Sequence, residues 1–149
     1  MIEDEDELRD LLSALDGVKQ NPRWHPEGDA LYHSLQAFDV ARRLTRDPLF
    51  WIAGLFHDVG KAIDSVTHDE VGADLLGGLV PERIVWLVSH HLDLLRDPRR
   101  TRRRLAREDL RDLELLRAID LGARSKDARV LPLDEALEEA LSAASHLRP

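Results

Sequence analysis

At positions 57 and 58 a histidine and an aspartate stand side by side at the end of an apolar run, GLFHDVG, and a lysine follows at 61. Neighbouring positions on a helix point about 100° apart, so His57 and Asp58 cannot both serve one layer of packing. One small object between their side chains could be held by both, and a metal ion is such an object. The chain has no cysteine. Disulfides and thiolate sites are therefore excluded, and any metal must be held by His, Asp or Glu. Further candidates lie one or two to a segment: His33, the His68-Asp69 pair, the His90-His91 pair and Asp120. Imidazole and carboxylate without thiolate suit Fe, Mn, Co, Ni or Zn.

Those residues need elements to position them. Leu8, Leu11, Leu12 and Leu15 predict an amphipathic helix over 4–16. GVKQNPRWHPEGD, with two prolines and two glycines, reads as turn-rich. Leu31, Leu35, Phe38, Ala41 and Leu44 predict a long helix from about Asp29 to Thr45, which carries His33. Pro48 suits the start of a helix running through LFWIAGLFHDVG to Gly60. A short helix is expected over about 68–76. Another opens at Pro81, with Ile84, Leu87, Val88 and His91 in phase. The segment 109–123 places Leu113, Leu116, Ile119 and Asp120 close together on the wheel, and Pro132 precedes a last amphipathic helix. Nothing alternates with period two. The expectation is a single all-α domain over 1–149, a compact bundle of about six or seven helices. It divides into an N-terminal helix and lead-in (1–20), a core (24–127) and a C-terminal helix (132–149). Such a bundle can bring side chains from several helices to one interior point.

A chain of 149 residues can bury a sizeable core. No apolar run approaches 18 residues, so no transmembrane helix is expected. The acidic start, MIEDEDELRD, does not read as a signal peptide, and a cytoplasmic location is the default. A net charge of −8 argues against a general nucleic-acid coat. The stretch RDPRRTRRRLAR (96–107) nevertheless holds seven arginines and one aspartate. It is either a solvated loop and helix start or a seat for a phosphate-bearing substrate or RNA.

HPEGD (25–29) followed by YHSL, then GLFHDVGK, HDEVGADLL and LLRAIDLGARSKD, together with His33, the His57-Asp58 pair and Asp120 in this order, resemble the HD superfamily of metal-dependent phosphohydrolases. The likeness is to the HD domains of bacterial tRNA nucleotidyltransferases and of stand-alone phosphohydrolases. It spans roughly Trp24 to Asp127. The resemblance implies a metal held by His33, His57, Asp58 and Asp120. Two-metal members add histidines after the HD pair; His68 and the His90-His91 pair stand where these occur, and Asp58 would bridge. One or two divalent transition-metal ions are expected, two being favoured. His91 shares the inward phase of its helix, but both His90 and His91 remain candidates. Gly-Tyr-Pro, the hallmark of the cyclic-dinucleotide hydrolases, is missing after His91.

On a phosphate monoester, diester or nucleotide, the implied chemistry is attack by a metal-activated water. Lys61 could neutralise phosphate charge or simply be solvated after a glycine. Arg124 and Lys126 could reach the same cleft or sit at a helix C-terminus, where the dipole favours them. Glu27 could act as an acid or base or cap the long helix. Asp58 belongs to the expected catalytic set with Lys61 and Glu27. His25 and His146 are set aside as ligands. Two other readings stay open. A diiron branch of the superfamily oxidatively cleaves C–C or C–P bonds, and the six-ligand pattern fits it; Trp24 stands about where that branch carries a tyrosine. A non-catalytic, metal-stabilised RNA- or protein-binding module is the other. A homodimer is also open.

Overall fold

The computed structural model of the chain describes residues 4–145 and 147; His146 lies outside them. Among the described residues there are nine α-helices and no strand. They are α1 (Glu5–Ser13), α2 (Ala30–Leu44), α3 (Pro48–Phe56), α4 (His68–Leu76), α5 (Glu82–His90), α6 (Asp93–Arg96), α7 (Pro98–Arg104), α8 (Arg107–Leu121) and α9 (Leu133–Ala144). The fold is all-α, as expected. Seven of the nine fall where apolar periodicity predicts a helix. Of the other two, α6 leads into the arginine-rich stretch at Arg96 and α7 lies within it, where a loop and helix start were expected. Asp97 explains α7: its side chain accepts from Arg100 N at 3.2 Å, with Pro98 in the first turn. No described helix is long and apolar enough to cross a membrane.

The centre of the bundle is α3, PLFWIAGLF, which is apolar on almost every side and so buried on almost every side. It packs on α2, α5, α8 and α9. Gly54 allows this crowding: a Cβ there would stand 3.2 Å from the Ala37 carbonyl oxygen and 3.3 Å from Ile119. Leu55 and Phe56 of α3 are fully buried, as are Phe38, Ile84, Leu87, Leu116 and Ile119 from its neighbours. The start of α2 is set by Asp29, whose carboxylate accepts from Tyr32 N at 2.9 Å and from Gly17 N at 2.6 Å. The turn before it closes through Gln20 N to Gly28 O and Ala30 N to Val18 O. Gly28 sits there at φ +84°, a conformation that costs a side chain.

Helix α4 is anchored by a buried charge. Asp69 accepts from Arg96 Nη1 at 2.6 Å, and Arg96 also bonds the Val66 carbonyl. Burial pushes the Asp69 carboxyl up, yet Arg96 and nearby backbone N–H groups hold it below its ordinary value of 3.8. Arg96→Ala should cost about 2 kcal/mol at pH 7, less than for a fully buried pair because Arg96 is half exposed. A lowered native pKa gives stability that is present above the unfolded value and lost as pH falls through the native one. The cost measured by urea unfolding should therefore shrink below roughly pH 4.

Candidate metal centre

The expected helix through Gly60 stops four residues early. It ends at Phe56, His57 is its C-cap, and Asp58 leaves helical geometry at φ −106° and ψ 10°. A 3-10 turn, Val59–Ala62, follows. This departure lets two adjacent side chains meet at one place. His57 Nε2 lies 3.2 Å from Asp58 Oδ2.

Helices α2 and α8 complete the first group. His33 Nε2 is 3.5 Å from Asp58 Oδ2 and 2.9 Å from Asp120 Oδ1, and His57 Nε2 is 3.5 Å from the same Asp120 oxygen. A second group gathers on the other carboxylate oxygen. His68 Nε2 is 3.2 Å and His91 Nε2 is 3.4 Å from Asp58 Oδ1, and the two nitrogens are 3.2 Å apart. Asp58 thus faces one group with each oxygen. His33, His57, Asp58, His68 and His91 are all buried.

Each imidazole is oriented from behind. The Nδ1 atoms of His57, His68 and His91 donate to the carbonyls of Gly54 (2.7 Å), Ser65 (2.8 Å) and Val88 (2.6 Å), and that of His33 to Ala123 (2.8 Å). Such bonds fix the tautomer that presents a bare Nε2 to a metal. Two facing atoms, His57 Nε2 and Asp58 Oδ2, are buried without a hydrogen-bond partner. An orphaned buried polar atom costs about 1–3 kcal/mol, and a cation between them would satisfy both. The metal-free electrostatics agree. Burial alone would depress both imidazoles, but Asp120 and Glu27 raise His33 to about 9, while Asp58 and Asp120 raise His57 to about 10. Burial would raise the Asp58 and Asp120 carboxyls; the histidines instead hold both well below the carboxylate range. The pocket is built to hold positive charge.

The cluster lies at the base of a cleft of about 610 Å³, lined by Trp24, His25, Lys61, Leu92, Leu95, Arg117, Leu121 and Arg124 besides the clustered residues. Lys61 Nζ is 3.2 Å from Asp58 Oδ2 and donates to Gln20 Oε1 at 2.5 Å. Arg124 Nη1 donates to the Trp24 carbonyl at 2.8 Å, and its Nη2 is 3.7 Å from Asp120. The expected companion Lys126 is exposed and does not line the cleft, because α8 has ended and the chain has turned outward. His90 also stands apart: its Nδ1 pairs with Asp93 at 2.8 Å and its ring lies 4.5 Å from Trp86. One position along the helix turns it about 100° from His91. Glu27 neither caps α2 nor lines the cleft. Its side chain is wholly buried, with Oε2 2.6 Å from His33 Nδ1 and 3.3 Å from His25 Nδ1. His25, expected only to shape the turn, is part of the cleft wall.

The order and convergence of these residues agree with one known domain: a profile of the HD domain matches residues 30–127. The chain belongs to the HD family. This family is that of the metal-dependent phosphohydrolases, and the buried His/Asp cluster is compatible with divalent metal. Among curated relatives, the HD chain is 50% identical over 52 residues to a multifunctional CCA protein of Methylococcus capsulatus, covering 35% of this chain and 12% of that one. Over 94 residues it is 36% identical to one of Hahella chejuensis, covering 56% and 22%. Over 70 residues it is 41% identical to one of Halorhodospira halophila, covering 42% and 17%. The matches thus span less than a quarter of each relative.

Proposed function

We propose that the chain is a metal-dependent phosphohydrolase acting on a nucleotide or another phosphate mono- or diester. The observation that carries this is the Asp58 carboxylate, whose oxygens face two histidine groups at the base of a cleft walled by Lys61 and Arg124. His33, His57, Asp58 and Asp120 would hold one divalent ion; Asp58, His68 and His91 would hold a second. Bound there, Fe, Mn, Co, Ni or Zn supplies Lewis acidity toward a phosphoryl oxygen and lowers the pKa of water. The remaining work belongs to the chain. Lys61, beside Asp58, neutralises phosphate charge at the edge of the cluster. Arg124, pinned to the Trp24 carbonyl, offers a second cation next to Asp120. The leucine-lined wall limits water around them, which strengthens each charge contact. Glu27 positions His33 from behind and exchanges no proton with substrate.

His68→Ala separates the two groups. It removes a residue from the second and none from the first, so one metal per chain should be lost and one retained. Loss of both, or of neither, would reject the two-group assignment.

The same six residues, His33, His57, Asp58, His68, His91 and Asp120, also suit a diiron oxygenase cleaving a C–C or C–P bond. The cations favour hydrolysis, and Trp24 brings no hydroxyl to the cleft. A polyanionic partner such as RNA is supported by the arginine stretch. Arg99, Arg100, Arg102, Arg103, Arg104 and Arg107 are all exposed, whereas Arg96 is committed to Asp69. Metal analysis of protein purified without added metal, followed by a panel of nucleotides and phosphodiesters, tests the main reading. Bound divalent metal with phosphate release is expected. Two irons with oxygen uptake and no phosphate release would select the oxygenase. No metal after reconstitution, with nucleic-acid binding lost on replacing Arg102, Arg103 and Arg104, would leave a binding module.

A further inference from the structure

The cleft continues beyond the cluster, and its outer half differs in character. Of the six large apolar side chains exposed on the described surface, three line this cleft: Trp24 (56% exposed), Leu95 (60%) and Leu121 (49%). Leu92 joins them. Trp24 is braced. Its carbonyl is held by Arg124, and the Arg23 guanidinium lies 4.9 Å from its ring centre. Arg117, half-buried on α8 one turn before Leu121, lines the same part of the cleft. Arg117 is three residues before Asp120 on the same helix, so the two share a face about 4.5 Å apart along its axis.

The three cleft cations are not equivalent. Lys61 is committed to Asp58 and Gln20, and Arg124 to the Trp24 carbonyl and Asp120. Arg117 forms no hydrogen bond or ion pair among the described residues. A guanidinium beside leucines, with its donors unspent, fits a planar or tetrahedral anion by paired N–H bonds.

We propose that Trp24, Leu92, Leu95, Leu121 and Arg117 form a second subsite. It takes the body and the distal anion of a substrate with two anionic groups joined through a flat apolar unit. One phosphate lies at the cluster, the flat unit lies along Trp24 and the leucines, and Arg117 binds the second anion. Arg117 is a specificity residue: it selects esters that carry a second, distal anionic group over those that carry one. The assignment rests on the phosphate-ester reading of the cluster, but its test does not require turnover.

The probes are phenylphosphonate and 1,4-phenylenediphosphonate, two phosphonates that differ in the distal anion. Binding is measured by calorimetry to the whole chain carrying its metals. The diphosphonate should bind at least tenfold more tightly, as one charge-assisted pair allows. Arg117→Gln should abolish that preference and leave phenylphosphonate affinity unchanged. Trp24→Ala should weaken both ligands by a similar factor. Equal affinities in the unaltered protein, no binding of either probe, or a preference that survives Arg117→Gln would each overturn the subsite. If the Arg117-dependent preference is present but no phosphate ester is hydrolysed, the subsite stands and the hydrolase reading falls. If esters are hydrolysed without that preference, the reverse holds.

Discussion

Asp58→Ala should yield a folded protein that retains no divalent metal and turns over no phosphate ester. Every other candidate ligand belongs to one group; Asp58 belongs to both, Oδ2 facing His33 and His57 and Oδ1 facing His68 and His91. Its removal takes one donor from each group at once. Replacing partners outside the ligand set of a metal site costs roughly 10–100-fold in affinity, so loss of a shared ligand should exceed about a hundredfold at each position. Lys61 also loses its carboxylate neighbour, which adds repulsion toward an incoming cation. The measurement is metal per chain after dialysis, with circular dichroism to confirm helix content. Retention of two metals with full turnover would remove Asp58 from the site. The contrast with His68→Ala, where one metal should persist, distinguishes a shared ligand from a private one.

Gly60→Ala should be the most damaging of the Gly→Ala changes. A Cβ at Gly60 would run into the His68 carbonyl oxygen and stand 2.7 Å from Gly72 N. These are backbone atoms of α4, so no side chain can swing aside. Overpacking typically costs 1–3 kcal/mol, and a clash that must displace a helix belongs at or above the top of that range, about 3 kcal/mol. For a chain of this size that corresponds to a fall in Tm of roughly 6–12 °C. The displaced element carries His68, so second-group metal should weaken before the first. A thermal melt paired with metal analysis checks both. An unchanged Tm would show that the turn and α4 do not meet this closely.

Much of this arrangement was legible beforehand. His33, His57, Asp58 and Asp120 stand out because buried imidazole and carboxylate need partners, whereas His68-Asp69 reads equally well as the cap of a short helix. His91 shares the inward phase of Ile84, Leu87 and Val88, but phase alone left His90 a candidate beside it, and only the fold shows His90 turned to Asp93 and Trp86. Other features lay outside what periodicity can say. The early end of α3 is a tertiary effect: the chain leaves the helix where the adjacent His57 and Asp58 side chains converge. Lys126 depended on where α8 stops, which spacing alone cannot locate. Arg117 carried a usable signal, its place one turn before Asp120, but its lack of a partner is visible only in three dimensions. Helix α7 could have been read from Asp97-Pro98, a capping residue and a first-turn proline, had the seven surrounding arginines not suggested solvent.

Three of the candidate ligands share a local habit. His57, His68 and His91 each brace their ring against a carbonyl three residues earlier in their own segment. The aim of each ring is therefore set by a handful of consecutive residues and does not wait for the ion. Stripping and reloading the metal should then be a fast, fully reversible exchange, limited by passage through the cleft and not by any rebuilding of the fold.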